Sequence, residues 1–110
     1  MAEVFLSLGS NLGDRENYLT KAIELINQNI GEIIRKSSFY ETQPWGFDVE
    51  NLFLNQVILI KTHISPVELL SEINFIEKQL ERTRNSENYE SRTIDIDILY
   101  YENQFFSSEK

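Results

Sequence analysis

Four strand-like runs and two helical stripes, in the order strand, helix, strand, strand, helix, strand, predict an α+β domain. Three observations carry this reading. The runs 3–8 and 53–62 are apolar and of strand length. The stretches 14–29 and 66–80 repeat apolar residues at helical spacing. The run 93–98 alternates polar and apolar residues, so its side chains divide between two faces of a strand. Together they predict a ferredoxin-like βαββαβ arrangement, an antiparallel four-stranded sheet with two helices on one face. The first and third strands then lie centrally and the last at an edge.

The elements follow in order. Glu3 to Leu8 is the first strand, and Gly9-Ser10-Asn11-Leu12-Gly13 reads as a turn. Such a glycine-rich turn can cradle phosphate, but it has neither a lysine nor the P-loop spacing. Asp14 caps a first helix whose stripe is Leu19, Ala22, Ile23, Ile26 and Ile30, and Gly31 ends it. Ile33 to Thr42 is the second strand. The loop 43–51 carries Trp45 and Phe47, either a stacking surface or a cover for the core edge. Phe53 to Thr62 is the third strand, apolar on both faces around Val57 to Ile60, with Asn55 and Gln56 as polar interruptions. Ser65, Pro66 and Glu68 form a capping box opening the second helix, with stripe Leu69, Ile73, Ile76 and Leu80. Glu77 and Arg84 project beside that stripe, as site groups or as an ion pair at the core edge. Arg82, Arg84 and Arg92 cluster around a polar loop, where other basic residues are sparse.

Composition bounds the rest. The 110 residues suit one domain, 1–110, with a single core. With 41% hydrophobic residues the chain is globular in character, and without cysteine it holds neither disulfide nor zinc-thiolate site. A start with neither a basic leader nor a long apolar span leads to the expectation of a cytoplasmic, non-membrane protein. A net charge of −8 repels nucleic acid and anionic membranes. A bound polyanion would need a local arginine cluster and divalent cations against that field.

The last strand carries the sharpest signal. Asp95 and Asp97 share one face, with Thr93 and Leu99, roughly 7 Å apart along the backbone. Ile94, Ile96, Ile98 and Tyr100 take the other face. Paired aspartates on a strand repel unless a cation lies between them, and Mg²⁺ takes carboxylate and phosphate oxygens. The alternative is an edge strand whose charges block sheet pairing.

Six stretches then occur in one order: Gly9-Ser10-Asn11-Leu12-Gly13, Ser38 to Gly46, Phe53-Leu54-Asn55, Pro66 to Leu70, Ile76-Glu77, and Arg92-Thr93-Ile94-Asp95-Ile96-Asp97. With them the chain resembles the 6-hydroxymethyl-7,8-dihydropterin pyrophosphokinase family of folate biosynthesis. The resemblance implies transfer of pyrophosphate from ATP to a reduced hydroxymethylpterin, releasing AMP. It implies two Mg²⁺ on Asp95 and Asp97, and catalytic Arg82 and Arg92 on the phosphates. It implies a pterin pocket with Thr42, Pro44, Trp45, Phe53 and Asn55. Asn74, Glu77, Arg82, Arg84, Tyr89, Arg92 and Ile98 fall where the family contacts ATP. Position 74 carries Asn where the family pattern has Gln, and Glu90 adds a negative charge near the phosphates. The chain is also expected to be C-terminally short relative to the family. An uncovered sheet face then predicts homo-oligomerisation, and a non-catalytic nucleotide- or metal-binding module is the competing expectation.

Overall fold

The computed structural model describes residues 1–11, 13–42, 52–81 and 94–102. Its elements are β1 (Ala2–Ser10), α1 (Arg15–Asn29), β2 (Gly31–Lys36), β3 (Tyr40–Thr42), β4 (Phe53–Thr62), α2 (Pro66–Glu81) and β5 (Asp95–Tyr101). The strands form one antiparallel five-stranded sheet in the order β2-β4-β1-β5, with β3 paired to β4. The expected four strands are therefore five. β1 and β4 are central and β5 lies at an edge, as their apolar and mixed characters predict.

The second expected strand, Ile33 to Thr42, is broken where Ser37 engages its partner strand β4. Its pairing with β4 steps over Ile34. Ser37 then ties itself to β4 with side chain and backbone: its N–H donates to the Val57 carbonyl (2.8 Å) and its Oγ accepts from Val57 N (2.9 Å). The buried Gln56 amide donates to the Ser37 carbonyl (2.7 Å). This anchor occupies residues that would otherwise continue the strand.

Helix ends follow their sequence signals. Asp14 accepts from Asn17 N at 3.3 Å. Ser65 and Glu68 exchange backbone and side-chain bonds of 3.1 and 3.2 Å, a closed capping box. α1 stops just before Gly31, with Ile30 as the C-cap, but Gly31 does not take the left-handed backbone of a helix-ending glycine and already belongs to β2. Its small size serves the sheet instead, since a Cβ there would lie 2.2 Å from the Lys61 carbonyl oxygen. The buried Thr62 hydroxyl donates to the Ile30 carbonyl at the helix end (2.6 Å).

One core holds these elements together. Leu19, Ala22 and Ile26 of α1 and Leu69, Ile73, Ile76 and Leu80 of α2 pack on Val4, Leu6, Leu8, Ile58, Ile60, Ile94 and Ile96. Both helices thus cover the same sheet face. The other face presents Phe5, Ser7 and Gly9 of β1, with Asn55, Val57 and Leu59 of β4 opposite them. No helix among the described residues is long and apolar enough to cross a membrane.

Candidate active site on the open sheet face

Register decides what the open face carries. Across β4, β1 and β5, the side chains line up in three rows: Leu59, Phe5 and Tyr100; Val57, Ser7 and Asp97; Asn55, Gly9 and Asp95. The first row is apolar, with the Phe5 and Tyr100 rings tilted at a centroid distance of 6.5 Å. The other rows are small in the middle and carry a carboxylate on the β5 side, with Val57 and then the polar Asn55 on the β4 side. Tyr100 reaches this face because the β1–β5 register steps over Leu99. That corrects the strict alternation expected of this strand. Tyr101 takes the buried side and its hydroxyl donates to the Ile64 carbonyl.

The small centre opens a cleft of about 170 Å³ lined by Ser7, Gly9, Thr42, Phe53, Asn55, Asp95 and Asp97. One wall holds both carboxylates. The opposite wall holds an amide, an aromatic ring and a hydroxyl. The walls are two strands apart, about 9–10 Å at the backbone. Asn55 is held by its own donors: Nδ2 bonds Thr42 Oγ1 (2.9 Å), the Tyr40 carbonyl (3.2 Å) and the Phe53 carbonyl (3.3 Å). Its Oδ1 lies over Gly9, where an added Cβ would come within 2.9 Å of it and within 3.5 Å of the Phe53 ring. Glycine at this position leaves room for the amide oxygen and the ring edge to approach the backbone of β1. Gly9 is therefore a strand residue on the cleft floor, and Ser10 ends the same strand, so the turn expected over residues 9–13 does not include them.

The candidate ATP residues divide. Asn74 and Glu77 line a second cavity on α2 with Lys78 and Glu81. Glu77 Oε2 accepts from Ile96 N (2.8 Å), the amide between the two aspartates, so α2 is fastened to the outer edge of β5. The ion pair of Glu77 with Arg84 that the sequence offers as an alternative falls outside the described residues. Ile98 packs partly buried against the core and is not among the cleft's lining residues. Arg82, Arg84, Tyr89, Arg92, Pro44 and Trp45 lie outside the described residues, as do Phe47, Glu90 and Thr93. Sequence reading missed Ser7 and Gly9 as the cleft floor, and Lys78 and Glu81 beside Glu77. The first pair depends on inter-strand register, which no local pattern reveals; the second follows from one helical turn around Glu77.

Among the described residues, no group of three or more His, Asp or Glu side chains could hold a metal by itself. Asp95 and Asp97 offer two hard oxygen ligands on one wall. That donor set suits Mg²⁺ shared with a phosphate-bearing ligand, because Mg²⁺ commonly takes one or two carboxylates and completes its shell with phosphate and water.

The fold and cleft define an α+β protein whose sheet face sets a paired-carboxylate wall against an amide-and-aromatic wall. The sequence profile of 7,8-dihydro-6-hydroxymethylpterin-pyrophosphokinase matches residues 5–107. The chain is 45% identical over 103 residues to the 2-amino-4-hydroxy-6-hydroxymethyldihydropteridine pyrophosphokinase of Porphyromonas gingivalis, covering 92% of this chain and 70% of that protein. It is 41% identical to the Bacillus subtilis enzyme of that name, covering 96% of this chain and 64% of the relative. A Plasmodium falciparum HPPK-DHPS crystal structure shares the fold with a TM-score of 0.70 at 21% identity, over 91% of this chain and 27% of that one. The chain belongs to the 7,8-dihydro-6-hydroxymethylpterin-pyrophosphokinase family.

Proposed function

We propose that this chain transfers pyrophosphate from ATP to the hydroxymethyl group of 6-hydroxymethyl-7,8-dihydropterin in folate biosynthesis, releasing AMP. The observation that carries the reading is the cleft shared by Asp95 and Asp97 with Thr42, Phe53 and Asn55. A flat, polar pterin suits the wall of Phe53 and Asn55. The ring offers a stacking face, and Asn55 Oδ1 remains as an acceptor for pterin N–H groups, its Nδ2 being committed to Thr42 and two carbonyls. We assign Pro44 and Trp45 to the same pterin pocket by the family pattern. The hydroxymethyl group then points across Gly9 and Ser7 toward the carboxylate wall.

Asp95 and Asp97 would hold two Mg²⁺ with the ATP phosphates; bound there, the ions would offset charge developing on the transferred group. Arg82 and Arg92 neutralise the phosphates and act on the rate, and Asn74, Glu77, Arg84, Tyr89 and Ile98 contact the nucleotide. Glu77 also keeps β5 in place through the Ile96 amide. Phosphoryl-type transfer asks a protein mainly for alignment and charge stabilisation, which these groups supply. We read the strand order as the ferredoxin-like split arrangement with β3 added, and we place the cysteine-free chain in the cytoplasm.

The test is product analysis. Mixing the chain with ATP, Mg²⁺ and the reduced hydroxymethylpterin should give AMP and pterin pyrophosphate in equal amounts. Formation of ADP, or of AMP without the pterin, would contradict the reading.

A further inference from the structure

Arg15, the first residue of α1, holds two acceptors at once. Its Nη1 donates to the Leu52 carbonyl at 2.8 Å and its Nη2 to Glu41 Oε2 at 2.9 Å. Glu41 is the middle residue of β3, and Leu52 immediately precedes β4. Each is followed in the chain by a residue of the cleft: Thr42 after Glu41, and Phe53 after Leu52. Thr42 and Phe53 are register partners.

β3 needs such an anchor. It spans Tyr40–Thr42 and pairs with β4 alone. So short a pairing is marginal by itself. The Ser37 anchor lies before it, and the Asn55 amide touches it from the cleft side. Arg15 approaches from the helix, and its planar fork matches two divergent acceptors, which a single ammonium cannot do. The Arg15 and Glu41 side chains are 31% and 48% exposed, so their ion pair adds little to global stability. What the fork controls is position.

We propose that Arg15 is a positioning residue for the cleft: by tying Glu41 to Leu52 it sets the spacing of Thr42 and Phe53 across the ring-binding wall. The kinetic part of this inference rests on the pterin reading of that wall; the structural part does not.

The test uses the full chain with Arg15→Ala, Arg15→Lys and Glu41→Gln. In Arg15→Ala, amide exchange across Tyr40–Thr42 should quicken about tenfold while β1 keeps its protection. The pterin KM should rise about tenfold, with kcat and the ATP KM within about twofold, as expected for a displaced wall. Arg15→Lys should follow Ala, because one ammonium reaches only one acceptor. Glu41→Gln keeps an acceptor oxygen and should stay near the parent. Unchanged exchange in β3 would overturn the proposal. So would faster exchange throughout the sheet with equal rises in both KM values, the mark of general destabilisation. If the parent chain forms no AMP, the pyrophosphokinase reading fails and exchange in β3 alone decides the role of Arg15.

Discussion

A single methyl group at Gly9 is enough to disturb the cleft. Its Cβ would approach Asn55 Oδ1 to 2.9 Å, and that oxygen belongs to a side chain anchored through Nδ2. The amide must turn or lift, and either movement removes the acceptor from the wall. Gly9→Ala is expected to raise the pterin KM about tenfold, in line with the cost of small displacements at a binding surface. The stability loss should stay near the lower end of the ~1–3 kcal/mol typical of overpacking, because a side-chain tip can yield. Steady-state kinetics and thermal melting together check this; an unaltered pterin KM would mean that Asn55 does not bind the ring.

At the scale of elements, two positions test why the strands and helices end where they do. At Gly31 an added Cβ meets the rigid Lys61 carbonyl at 2.2 Å, so β2 must part from β4. Gly31→Ala should cost about 2–3 kcal/mol, the upper part of the range for overpacking. Ser65→Ala removes one half of the capping box and should cost about 1 kcal/mol. Urea denaturation should rank them in that order, and the reverse order would show that β2 adapts freely. The two sites also illustrate what a sequence reveals. The capping box was legible because all its partners lie within one turn. Phe53–Thr62 was legible because the run Val57 to Ile60 at its centre is apolar on both faces. The break at Ser37 and the flip of Tyr100 were not, because each is set by a partner strand's register. Likewise the carboxylate pair could be placed on one face by parity alone. That it faces Asn55 across Gly9 requires knowing how β1 pairs on both sides. Arg15 carried no local signal at all, since its acceptors lie 26 and 37 residues away.

At the scale of the whole molecule, the open face has an apolar end and a polar end. Phe5 and Tyr100 are 40% and 52% exposed beside Leu59, whereas the cleft occupies the opposite end of the same face. These 110 residues by themselves are expected to self-associate through the apolar end at micromolar concentration, since contiguous exposed apolar surface favours association. Light scattering should report species larger than a monomer, and Phe5→Lys should reduce them; a monodisperse parent monomer would show that this face is already covered. At the polar end, the proposed role of the Asp95 and Asp97 wall is to hold the nucleotide through its metal ions. Calorimetric titration of ATP with Mg²⁺ into the parent chain and into Asp95→Asn/Asp97→Asn tests it most directly. The double variant should keep its fold and lose the Mg²⁺-dependent part of ATP affinity, since neutral amides relieve the repulsion of the pair but ligate Mg²⁺ poorly. Undiminished Mg²⁺-ATP binding by the folded variant would contradict it.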